Sequence, residues 1–326
     1  MSHDHSAEVL DGVDLSYSTF TLADLTGSSL LGAKLDNAVF SQIVAPELLL
    51  AGASLELARI DDAVLTSVVL DGAQARGAYL VGSDMRGAHA SDVDLSLARL
   101  NDCDLSGADL SGAILTGANL ISADLSGADL TNADLTDAVL INTSLEGAML
   151  SGADLTGAVI SLGVGSAFYD ACTDLSDTEF DPVKAGWVDL TPADPLIGCG
   201  TGQLSVTDGG TQGLLLRPGS EFAGQLYFVI GSLSGTSPGF TLEPGVHLPL
   251  NYDTYSLYTI EFPNSALLAN TFSVLDEIGE GAAGFVVPQG LSLSLVGLTV
   301  HHAYVVFEGP SNYAFASNAV EATLTL

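Results

Sequence analysis

The chain has 326 residues, 47% of them hydrophobic and only 14% charged, with 40 acidic side chains against 7 basic ones and a formal net charge of −33. That balance excludes direct binding of nucleic acid or of an anionic membrane, which need lysine and arginine against phosphate. No apolar run reaches 18 residues, so no membrane-spanning helix is expected. The acidity is even: residues 1–160 carry 23 acids and 5 bases, residues 161–326 carry 17 and 2. Such a spread reads as solubility rather than as a patch for one partner.

The opening stretch, MSHDHSAEVL, shows neither the charged start nor the apolar centre of a signal peptide. His3, Asp4 and His5 could hold a metal loosely but read as a flexible terminus. A period of five then begins. From Leu10 to Ile160 every fifth position is large and apolar apart from Ala45, Ala75 and Ala90, and a small residue, mostly Ala, stands two places earlier. Five residues advance a helix by about 140°, so no stripe forms on it. In a strand every second leucine would face water. A coil that turns about 90° per block buries them all, and four blocks close a square rung of twenty residues. Large and small residues then interdigitate inside, Asp and its neighbours face out, and Gly two places after the leucine permits the corner.

The blocks GADLS (107–111), GANLI (117–121) and NADLT (132–136) resemble the pentapeptide-repeat family, A(D/N)LXX. The resemblance implies a right-handed quadrilateral β-helix, with rungs ~4.8 Å apart and exposed ends that need caps. At 41–50 Ala45 is small but Ile43 is large, so the volumes have traded places and the rung can still fill. Ala75 and Ala90 have no such partner, since Ala73 and Ala88 are small too, and a thinner stretch is expected there.

Arginines concentrate mid-coil at Arg59, Arg76, Arg86 and Arg99. Arg59 and Arg99 lie forty residues apart, hence on one face, with Tyr79 on the rung between. With Val64 and Val69 nearby they form a candidate contact patch and a surface for weak self-association; the competing reading is neutralisation of acids such as Asp61 and Asp62. Stacked aspartates could hold calcium between rungs, but on flat exposed faces they read as solvated.

After Ile160 the register fails, and Phe168, Tyr169, Phe180 and Trp187 concentrate where an open end would need a lid. FDPVKAGW (180–187) resembles segments that follow bacterial pentapeptide repeats. Cys172 and Cys199 flank the lid and form a candidate disulfide, expected outside the cell and absent inside it; Cys103 fills a small-residue slot and is expected to be buried and inert.

TPADPLIGCGTGQ (191–203) reads as a linker. Beyond it QLYFVIGSLSG, YSLYTIEF, GAAGFVVP, TVHHAYVVFEG and NAVEATLTL alternate or run apolar between turn-rich segments, which predicts strands of an antiparallel β-sandwich. Residues 222–240, 247–260 and 297–320 resemble a C-terminal module of secreted proteins from planctomycetes and related marine bacteria, which implies export and assigns no chemistry. The fold expected is all-β: a β-helix over 1–160, its cap over 161–190, a linker over 191–203 and a β-sandwich over 204–326.

No GxSxG, no phosphate-binding glycine loop and no zinc spacing occurs, so no catalytic residue, cofactor or metal is assigned. His301 and His302 point to opposite faces of a strand, and with Tyr304 they are the sole support for an enzyme in the second half. His247 stands alone. The expected function is that of a non-enzymatic structural or interaction protein, exported, whose rigid acidic rod binds a protein or cell-surface partner. The alternative is a cytoplasmic DNA mimic, since some pentapeptide-repeat proteins inhibit DNA gyrase.

Overall fold

A computed structural model describes residues 5–161, 164–191, 196–199, 203–205, 207, 210–242, 246–309 and 312–326. His3 and Asp4, and much of the segment read as a linker, lie outside the described residues. The chain divides into two compact units, Met1–Thr191 and Pro192–Leu326.

In the first unit the five-residue block becomes a turn followed by a single β-bridge, and the bridges join residues twenty apart in parallel, from Val9↔Ser29 onward. The backbone explains the closure. Leu105 N donates to Asp124 O at 2.7 Å, Asp124 N donates back to Cys103 O at 2.8 Å, and Ala108 N closes the corner on Leu105 O at 3.0 Å. Each rung therefore satisfies its neighbours' polar groups while the Leu and Ala slots fill one continuous core from Ala23 to Trp187. One short pair becomes regular strands, β1 (Val139–Leu140) with β2 (Val159–Ile160). Near the end β3 (Phe168–Tyr169) pairs in parallel with β4 (Val188–Asp189).

Polar residues enter the small slot on one condition. Ser83, Cys103 and Thr143 each direct their side-chain donor to a carbonyl 23 residues earlier, at 2.6, 2.7 and 2.7 Å. A buried hydroxyl is tolerated because its hydrogen bond is made inside the coil. Cys103 is buried as expected, and desolvation pushes its thiol up to about 12.

The exchange of volumes at Ile43 and Ala45 leaves a void of ≈ 10 Å³ lined by Phe40, Ile43, Leu48, Leu50, Leu55, Ile60 and Leu65. Ile43 and Ala45 are both buried, yet branching at Cβ keeps Ile43 from reaching the volume a leucine at 45 would fill. Ala75 and Ala90 are also sealed, at 3% and 0% exposure.

The coil continues past Ile160: Asp154↔Asp174 is still a parallel bridge, and Met149↔Phe168 carries a one-residue slip. The end is closed by aromatics. Phe180 and Tyr169 lie 4.7 and 6.3 Å from the Trp187 ring, whose Nε1 donates to Gly165 O at 3.1 Å. Asp181 turns the preceding segment by accepting from Lys184 N at 3.0 Å.

The second unit contains β5 (Leu196–Cys199), β6 (Gln203–Ser205), β7 (Gly210–Leu216), β8 (Leu226–Ser232), β9 (Phe240–Leu242), β10 (Val246–Leu248), α1 (Thr254–Glu261), β11 (Leu268–Ala269), β12 (Phe272–Val274), β13 (Gly281–Val287), β14 (Thr299–Gly309), β15 (Asn312–Ala316) and β16 (Val320–Thr325). One sheet runs β11-β13-β7-β5 and another β12-β8-β14-β16-β6, with β15 on β14. Leu196, Leu214 and Leu216 of the first pack with Tyr227, Val229, Tyr304 and Val306 of the second. All pairings within these sheets are antiparallel except β16 with β6.

Two expectations are corrected. The linker reading of 191–203 gives way at β5, whose apolar Leu196 and Ile197 are buried against β7. The strand expected at YSLYTIEF is α1. Asp253 accepts from Tyr255 N at 2.9 Å and Ser256 N at 3.0 Å while Ser256 Oγ accepts from Asp253 N at 3.2 Å, a reciprocal cap. Gly231 in β8 makes room for it: a Cβ there would lie 2.2 Å from Tyr255 Cε1.

Candidate contact surface

The residue before each leucine points outward and stacks on its counterparts twenty residues away, so every face is a ladder. One ladder runs Val39, Arg59, Tyr79, Arg99, Asn119, Val139. The structure thus brings Arg59, Tyr79 and Arg99 together on one face. Val64 belongs to the ladder Val44, Val64, Asp84, and Val69 to the ladder Leu49, Val69, His89. The five-residue patch is corrected accordingly: it spreads over three faces, because a step of five residues turns a corner.

Within the ladder the Arg99 guanidinium lies 4.9 Å from the centre of the Tyr79 ring. Arg59 Nε donates to Asp61, the local neutralisation also anticipated. The Arg76 side chain is exposed and has no hydrogen-bond or ion-pair partner among the described residues. Arg86 sits elsewhere, 2.7 Å from Asp84 and 3.7 Å from Asp104. Hydrogen bonding by its side chain holds the Asp84 carboxyl below the usual range, against the cost of burial.

Many of the coil's carboxylates serve their own turns. Asp104 and Asp109 each accept from the backbone N two residues on, at 3.1 Å, and from the same serine's hydroxyl at 2.6 and 2.7 Å. Among the described residues no group of three or more His, Cys, Asp or Glu is arranged to hold a metal, and no helix is long and apolar enough to cross a membrane.

Sequence reasoning missed the corner. Leu57 and Leu97, two places before Arg59 and Arg99, are 50% and 55% exposed. The signal was available: both occupy the corner slot that Gly fills in the intervening block, at Gly77.

In the second unit His302 is fully buried. Its Nε2 lies 3.1 Å from Tyr255 Oη and its ring packs on Phe285 at 5.0 Å, while Nδ1 has no partner among the described residues. Burial pushes its pKa down to about 3. His301 points the other way, 3.5 Å from Glu321. His247 is exposed, 3.5 Å from Thr241 Oγ1. An open cleft of ≈ 420 Å³ is lined by Leu215, Tyr227, Asn270, Ser273, Val274, Asp276 and Glu280 among others. Its acids are committed, Asp276 to Ile278 N and Glu280 N, and Glu280 to Arg217 at 2.9 Å.

The family model for pentapeptide repeats matches in eight copies, over residues 9–42, 49–87, 78–117, 98–137 and 118–157. The coil of this chain belongs to the pentapeptide-repeat family. Solved pentapeptide-repeat proteins are similar to it. HetL from the cyanobacterium Nostoc sp. strain PCC 7120, a protein involved in heterocyst differentiation regulation, is 24% identical over 59% of this chain and 92% of its own, with a TM-score of 0.32. QnrB1, a plasmid-mediated fluoroquinolone resistance protein, is 20% identical over 56% and 96%, with a TM-score of 0.26. The protein alr5209 from Nostoc PCC 7120 is 33% identical over 36% and 84%, with a TM-score of 0.14. No curated protein sequence matches.

Proposed function

We propose that this chain is an exported, non-enzymatic interaction protein in which the pentapeptide coil is a rigid acidic rod that presents its faces to a protein or cell-surface partner. The second unit is read as a β-sandwich module of the type found at the C-terminus of secreted proteins. The observation that carries the reading is the ladder Arg59–Tyr79–Arg99, a basic and aromatic strip held in fixed register on an otherwise acidic rod. The pairing of Cys172 with Cys199 belongs to the same proposal, since it requires an oxidising compartment.

Two measurements test it. Fractionation of the native host should find the protein outside the cytoplasm; confinement to the cytoplasm defeats export. Assay against a broad panel of hydrolase substrates should show no turnover above background; turnover that persists after repurification defeats the non-enzymatic reading.

The second reading is the DNA mimic acting on gyrase, favoured by the rod's acidity and by the likeness to QnrB1. The even charge of the second unit argues against it, because mimicry by the rod needs none there. Inhibition of gyrase supercoiling by micromolar protein would establish this reading in place of the first.

A further inference from the structure

Three of the coil's four arginines share one strip. Arg59 and Arg99 stand on the ladder with Tyr79. Arg76 precedes Tyr79 by three residues, and its carbonyl accepts from Leu57 N at 3.0 Å. Leu57 and Leu97 flank it on the adjoining corner with φ of 57° and 59°. Both lean over the glycine of the next rung: a Cβ on Gly77 or Gly117 would lie 2.9 Å from the leucine Cδ2. A branched side chain in the left-handed region is unfavourable, and half-exposed apolar surface returns little. A left-handed φ is common to the non-Gly corners of the coil, so what sets Leu57 and Leu97 apart is apolar surface left half exposed on one column beside the arginines.

The cations are available too. Stacking on Tyr79 leaves the N–H edge of Arg99 free to donate. The Arg76 side chain has no partner among the described residues, although Glu56 shares its column one rung earlier, and Arg59 commits Nε alone to Asp61.

We propose that the strip Leu57, Arg59, Arg76, Tyr79, Leu97 and Arg99 is the docking site for an extended acidic peptide segment with apolar side chains between its carboxylates. The inference rests on the reading of the rod as a binding surface and names the class of partner. Charge complementarity selects it: an antiparallel second copy on this strip would set Arg59 against Arg99 and Arg76 against itself. An acidic polysaccharide would satisfy the guanidiniums but leave Leu57 and Leu97 uncovered, and the Tyr79 face on which a sugar would stack is taken by Arg99.

The test measures binding of a fluorescent octapeptide of alternating Glu and Leu to the full chain by anisotropy, with the Lys–Leu octapeptide and heparin as comparisons. Wild type is expected to bind the acidic peptide and not the basic one. Arg76→Glu with Arg99→Glu should weaken binding about tenfold or more. Leu57→Gly with Leu97→Gly should weaken it about fivefold while leaving thermal stability unchanged or higher, because Gly relieves the corner. Asp109→Asn with Asp129→Asn, on another face, should bind as wild type. Absence of peptide binding, or equal binding by wild type and both strip variants, overturns the proposal and leaves the broader binding role standing; only turnover or gyrase inhibition removes that. Tighter binding of heparin, lost in the arginine variant and kept in the leucine variant, assigns the strip to a polysaccharide and also overturns it.

Discussion

Leu105 in the coil and His302 in the second unit are both fully buried, but they hold different kinds of structure together. Leu105 is one of a column of equivalent side chains, each stacked on the next and answering only to its neighbouring rungs. His302 has no equivalent: it completes a cluster of Tyr255, Phe285 and a helix fitted over Gly231. A periodic core tolerates local defects, such as the void beside Ile43, because each rung is supported on both sides. An aperiodic core depends on single polar contacts, and these make its stability sensitive to one substitution or to pH.

Substitutions in each unit sharpen that contrast. Leu105→Ala should destabilise the coil by about 3 kcal/mol through lost burial and the cavity left behind, lowering the calorimetric transition of the first unit alone. A larger effect on the second unit would break the distinction. Asp253→Ala should cost the second unit about 2 kcal/mol. Its Oδ2 accepts from Leu233 N and Ser234 N at 2.7 and 2.8 Å, and its Oδ1 from the first turn of α1. Those donors lose their acceptor together, and urea unfolding followed by tyrosine fluorescence reads the loss.

Acid should act on the same unit. The unfolded chain binds a proton at His302 near pH 6.5, whereas the folded chain resists it down to about 3. The unfolded state therefore holds more protons between those values, and stability, fully present above about pH 6.5, is lost as pH falls. His302→Gln, which keeps a partner for Tyr255 Oη, should flatten the decline between pH 6.5 and 5; an unchanged slope would show that another group governs it. The smallest effect is expected at Arg86, whose ion pairs are exposed: Arg86→Met should leave the urea midpoint of the coil close to that of wild type.

The legible part of the molecule was the part that repeats. Leucine at every fifth position admits one buried geometry, so the coil, the outward Asp ladder and the shared face of Arg59, Tyr79 and Arg99 follow from numbering alone. Val64 and Val69 were grouped with that face by nearness in sequence, which a coil turning every five residues does not respect. YSLYTIEF was ambiguous because Tyr255, Leu257 and Thr259 fit a two-residue period while Tyr255, Tyr258 and Phe262 fit a helical one. The deciding residue, Asp253, stands just before the pattern. Leu57 and Leu97 went unread because attention to the buried slots passes over the corner, where a large apolar side chain left half exposed is the signal.

The central claim is that twenty residues make one rung, so that separation along the rod grows by ~4.8 Å per rung. Spin labels at Asp14→Cys and Ile114→Cys, in a chain with Cys172 and Cys199 replaced by Ser, measure it by electron–electron double resonance. Both sites are exposed and lie on one ladder, Asp14, Lys34, Ser54, Gln74, Asp94, Ile114. Five rungs predict a narrow distribution centred at roughly 24 Å. A broad distribution, or a separation beyond about 60 Å as helical or extended chain would give, would contradict the coil and every surface assigned to it.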